Sequence, residues 1–162
     1  LGNIGVFETV FINIIQDGIE TRVKARSLYK RLFGLKKASR RTTDGEGEVD
    51  GNIEILIQTT EGFKKIIKAI CSHAEIAKIR GDRIAVAMSF DTKIFEEKNG
   101  LVTVNTLYGG DSKIKYINLK NEFAHDWIIR LTIPHNETKG FVYNFITEDG
   151  NFIANRIIVS NA

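Results

Sequence analysis

The sequence predicts an α+β domain: a twisted antiparallel sheet of about six to eight strands, with two helices packed on one face. Three observations carry this. Two early segments show apolar residues at helical spacing beside strand-like runs. The second half repeats short alternating runs split by turn residues. At 162 residues the chain fits one domain, 1–162.

In order, residues 6–15 read as a central strand, apolar on both faces. Asp17-Gly18 breaks it. Residues 22–33 read as a helix, with Val23, Leu28, Leu32 and Phe33 in a thin stripe among basic residues, and Gly34 able to stop it. Residues 53–58 read as a strand. Phe63, Ile66, Ile67, Ile70 and Cys71 then fall at i, i+3, i+4, i+7 and i+8, which predicts a second, core-facing helix.

Six further strands come after it, at 84–90, 101–107, 114–119, 127–133, 141–145 and 152–159. Asn99-Gly100, Gly109-Gly110-Asp111 and Asp149-Gly150 supply turns between them. The last run is apolar to its end, so it must pair with a neighbour or with another subunit. Residues 36–52 hold only Ala38 and Val49 as apolar side chains. Such a segment cannot offset its ordering entropy by burial, and a mobile exposed loop is expected there.

The net charge of +3 hides a local asymmetry. Arg22, Lys24, Arg26, Lys30, Arg31, Lys36, Lys37, Arg40 and Arg41 fall in one stretch of twenty residues without an acid. The remainder carries 14 basic and 20 acidic residues. A clustered positive field attracts polyanions, so these nine residues are the expected polyanion-binding set. Nucleic-acid phosphates are one partner, with Tyr29 and Phe33 suited to base stacking. An anionic membrane is another, with Leu28, Leu32, Phe33 and Leu35 as shallow membrane contacts. Ser39, Thr42 and Thr43 beside Arg40 and Arg41 resemble kinase sites whose phosphorylation would cancel part of the patch.

Catalytic and metal patterns are weak. Cys71 is the single cysteine, which excludes an intramolecular disulfide and thiolate-rich zinc sites and favours a reducing, intracellular compartment. Cys71 and His73 lie two apart on the expected helix and would not face each other. His125 and Asp126 are adjacent on a strand and point to opposite sides. Glu96-Glu97 reads as a solvated turn, and Asn136-Glu137-Thr138 as a chance sequon. The acids of 44–50 would repel phosphate and lack calcium-loop spacing. No metal and no cofactor is expected, and no apolar run reaches the ~18 residues of a membrane-spanning helix.

The order strand, charged turn, basic helix in "FETVFINIIQDGIETRVKARSLYKRLFG", with a sheet-rich remainder after it, resembles rhabdovirus matrix proteins. That resemblance implies a non-enzymatic virion protein that self-associates and bridges the inner face of a membrane and ribonucleoprotein or RNA. Two alternatives remain open at this point. One is a sequence-tolerant RNA- or DNA-binding module. The other is a small enzyme or ligand-binding domain using His125 or His73, which a deep pocket at either histidine would favour.

Overall fold

The structure, a computed structural model, is described for residues 3–33, 45–48, 53–107, 109–132 and 139–161. These residues are almost entirely β, with one α-helix and one 3-10 turn among them. The α+β expectation is thereby overturned.

The first expected strand is two: β1 (Val6–Phe7) and β2 (Phe11–Gln16). The basic segment is shared between β3 (Ile19–Lys24), which pairs with β2 through Asn13 and Arg22, and α1 (Ala25–Leu32). The helix buries Ala25, Leu28 and Leu32. Next come β4 (Gly45–Glu48), β5 (Ile55–Thr59) and β6 (Gly62–Lys65).

The expected second helix does not form. Its residues end β6 and open β7 (Lys68–Gly81), the longest strand. Ile66 is buried while Ile67 is half exposed. Ala69, Ile70, Cys71 and Ser72 are all buried in succession. β7 pairs with β4, β13, β8 and β12 along its edges, and the unbroken burial of Ala69–Ser72 shows that both its faces are covered there. A strand covered on both faces carries consecutive apolar residues, and such a run also satisfies helical spacing. The β-branched Ile66, Ile67 and Ile70 favour the strand.

The second half keeps more closely to its turn signals. It contains β8 (Ala85–Ser89), β9 (Lys93–Glu96), β10 (Gly100–Thr103), a 3-10 turn (Val104–Thr106), β11 (Lys113–Ile117), β12 (Phe123–Thr132) and β13 (Lys139–Ile146). The final run, expected as one strand, is a hairpin of β14 (Asn151–Ala154) and β15 (Ile157–Ser160). Asn155 and Arg156 turn it with φ of 45° and 71°. The apolar last strand finds its partners within the chain, in β14, β9 and β11.

β12 ties two groups of strands together. Phe123–Trp127 pairs with β11, and Ile128–Thr132 with β7, with a register shift between Ile128 and Arg130. The core runs from Val6, Ile12, Ile14 and Leu28 through Ile57, Met88 and Ile114 to Phe145, Phe152 and Val159. Of the loop expected at 36–52, Gly45–Glu48 forms β4 against β7, and the remainder lies outside the described residues.

Candidate functional site at the β13 crossing

Two segments far apart in sequence meet on three residues of β13. From one side, Val6 pairs with Tyr143. Gly5 lies so close to this strand that a Cβ would sit 2.6 Å from the carbonyl carbon of Tyr143. Thr92, fully buried, clamps Gly5 from beyond: its Oγ1 accepts from the Gly5 N–H at 2.9 Å and donates to the Gly5 carbonyl at 3.1 Å. Ser89 adds an N–H to the same carbonyl at 3.0 Å.

From the other side comes the end of β15. Asn161 is buried, and its main-chain N–H, its carbonyl and its side-chain nitrogen are all bonded. Its main-chain N–H donates to the Gly150 carbonyl at 3.1 Å. Its Nδ2 donates to the Phe145 carbonyl at 3.1 Å and, more weakly, to Thr147 Oγ1 at 3.4 Å. Its carbonyl accepts a hydrogen bond from Asn144 Nδ2 at 3.2 Å. Asn144 is 1% exposed, and its Oδ1 has no partner among the described residues.

A polar side chain buried in a strand between Tyr143 and Phe145 must be bonded or cost stability. Here the contact joins the Asn144 carboxamide to the Asn161 main-chain carbonyl, so its geometry does not depend on a titrating group. Burial, then the neighbouring Cys71, pushes the Tyr143 phenol up well beyond the ordinary tyrosine range, so it is neutral at physiological pH. The site is thus a buried pair of asparagines at the end of an apolar strand.

The residues expected to form a site lie elsewhere. Arg22 spreads over the Phe11 ring at 4.4 Å, Arg26 sits 3.7 Å from Glu8, and Arg31 donates to Gln16 at 2.7 Å. Lys24 is exposed and Lys30 half-buried. Leu28 and Leu32, named as membrane contacts, are enclosed in the core, and Phe33 packs against it. Leu35, Lys36, Lys37, Ser39, Arg40, Arg41, Thr42, Thr43 and residues 136–138 lie outside the described residues.

Among the histidines, His73 packs against Phe141 with ring centroids 4.9 Å apart and planes tilted by 51°, beside a cavity of ≈ 570 Å³ also lined by Asn3, Ser89 and Asp91. His125 is exposed on β12, while Asp126 beside it is buried and accepts from the N–H groups of Arg83 and Ile84. Glu96, expected in a solvated turn, is also buried. Among the described residues no cluster of His, Cys, Asp and Glu could hold a metal ion, and no helix is long and apolar enough to cross a membrane.

No protein-family model and no curated protein matches the chain. Solved structures do match over nearly its whole length. The TvoVMA intein superimposes with a TM-score of 0.76 at 15% identity, covering 100% of both chains. The chain has the intein fold. The PabCDC21-1 intein gives 0.71 at 18% identity, again over 100% of both chains. A DnaB intein from Synechocystis sp. PCC 6803 gives 0.65 at 13%, with 98% of each chain covered.

The intein fold overturns the matrix-protein resemblance, and with it the expected non-enzymatic virion, membrane or nucleic-acid role. The order strand, turn, helix that carried the resemblance is real only as β2, β3 and α1. The other described residues are almost all β, and the first strand and the final described residues converge on β13. Asn144 and Asn161 were not singled out from the sequence. The available signal was a lone carboxamide within each of two apolar strand-like runs, "FVYNF" and "IIVSN".

Proposed function

We propose that the chain is a self-processing domain of the protein-splicing kind, and that it breaks its own backbone after Asn161. Inteins catalyse protein splicing, an autocatalytic rearrangement of peptide bonds. The observation that carries the reading is the buried placement of Asn161, with its side-chain amide and its carbonyl held by different groups of the same strand region.

The chemistry comes from the residue itself. An asparagine carries a nitrogen that can close on its own main-chain carbonyl carbon in a five-membered ring. Nδ2 forms the new C–N bond, and the bond to the nitrogen of Ala162 breaks. The proton lost by Nδ2 goes to the departing nitrogen, which leaves as an amine. No water and no external reagent is consumed. Holding the nucleophile beside its target replaces a random encounter with an oriented one, which is where intramolecular reactions gain most. Burial also excludes the water that would compete.

Residues 1–7 contain no cysteine, serine or threonine, and Ala162 carries neither thiol nor hydroxyl. The proposal concerns the bond after Asn161.

The test is a fusion of the full chain to a folded reporter protein placed after Ala162. Release of the reporter on incubation, abolished by Asn161→Ala, supports the reading. An uncut fusion, or equal release from Asn161→Ala, refutes it.

A further inference from the structure

We propose that Asn144 is a catalytic residue of this cleavage, its side-chain N–H stabilising the negative charge that develops on the Asn161 carbonyl oxygen. The inference rests on the reading of Asn161 as the residue that closes its ring.

Three observations support it. First, Asn144 Nδ2 donates to the oxygen on which charge must grow when Asn161 closes its ring, at 3.2 Å. That length is at the long end for N–H···O bonds. A donor so placed tightens as the acceptor becomes an anion, so it favours the transition state over the ground state.

Second, half of the carboxamide does nothing for the packing. Asn144 is buried, yet its Oδ1 meets no donor among the described residues. A leucine would fill a similar volume without an empty acceptor. Buried groups left unsatisfied in this way mark positions held for something other than packing.

Third, the donor is held in place. The Asn144 main chain is paired with Ile70 of β7, and its neighbours Tyr143 and Phe145 are buried. A preorganised dipole costs no reorientation when the charge appears. A flip of the amide would place Oδ1 against the Asn161 carbonyl, two acceptors facing each other, so the donor orientation is the one the site permits.

The carboxamide cannot ionise, and this gives a sharp test. In the same reporter fusion, Asn144→Leu should slow release by about 10²–10³-fold, the usual loss for one such donor. Asn144→Asp should behave differently. Its neutral acid can donate to the oxygen, and its carboxylate would repel the forming anion. Its rate should therefore fall about tenfold per pH unit above its own pKa, a descending limb that the wild type lacks. Ionising a buried carboxylate also destabilises the fold, so the folded fraction of Asn144→Asp is followed by circular dichroism over the same pH range: a descending limb while the fold stays intact supports the role, and a limb that only tracks unfolding overturns it.

Release from Asn144→Leu within about threefold of wild type, or a wild-type pH profile for Asn144→Asp, overturns the role of Asn144. If Asn161→Ala is then inactive, the cleavage reading itself survives. If the wild type releases nothing, both fall together.

Discussion

The side-chain nitrogen of Asn144 lies 3.2 Å from the main-chain oxygen of Asn161, joining two strands through residues 17 apart in the chain. The sheet makes this contact possible. β13 is fixed by β7 along its length, and the β14–β15 hairpin returns the chain across its end.

The same packing bears on Gly5. Gly5→Ala should destabilise the protein and slow cleavage together. The new Cβ would lie 2.6 Å from the Tyr143 main chain, at a φ of 151° that side chains rarely adopt. Main chain inside a sheet cannot move aside as a side-chain tip can. The expected loss is about 1–3 kcal/mol, the usual cost of overpacking. It is read as a lower midpoint in urea unfolding, with reduced reporter release from the folded fraction.

Asp126→Ala should cost about 2–3 kcal/mol, because it strands the N–H groups of Arg83 and Ile84 that its Oδ2 accepts at 2.7 and 3.2 Å. Asp126→Asn keeps an acceptor and should lose less. The two variants are ranked by their thermal midpoints, and equal midpoints for Asp126→Ala and wild type would remove the anchor from the account.

Glu96 contributes stability with a defined direction in pH. The N–H of Lys98 holds its carboxyl below the ordinary value of 4.5, and the N–H and side chain of Asn99 add to this, against the opposing effect of burial. A carboxyl lowered in the folded state stabilises above its unfolded value. That contribution is lost as pH falls through the folded one. Glu96→Gln should therefore lower the melting temperature at pH 7, and the gap to wild type should close as pH drops below 4.5. A gap that is constant with pH would count against it.

Much of the strand content was legible because turn chemistry and alternation agree in the second half. Ala85–Ser89 lies where small and apolar residues alternate after the Gly81-Asp82 turn, whereas the continuous apolar run from Phe152 hid the turn at Asn155-Arg156 that splits it into β14 and β15. The 63–71 segment was misread for a physical reason. β7 is buried on both faces over Ala69–Ser72, so the two-residue period is erased there and helical spacing appears by default. The site was illegible for a different reason. Asn144 and Asn161 acquire meaning only when β13 and the end of β15 are adjacent, and nothing local to either residue reports that contact. The basic segment drew attention by its charge, yet Arg26 and Arg31 are already turned toward Glu8 and Gln16.

Thr147→Val is a milder probe. Its hydroxyl is a long 3.4 Å from Asn161 Nδ2 and donates to the Asn151 carbonyl at 2.8 Å. The shorter Phe145 contact would still hold the nucleophile. Release should fall by less than about tenfold, the equivalent of roughly 1.4 kcal/mol for one ordinary hydrogen bond. A loss as large as that of Asn161→Ala would shift the positioning role to Thr147.

The most direct measurement is the mass of the fragment ending at Asn161, taken at the earliest times of reporter release. Ring closure predicts a terminus one water lighter than free asparagine, absent from Asn161→Ala. A fragment ending in open asparagine from the first time point, or one cut at another bond, would contradict the account.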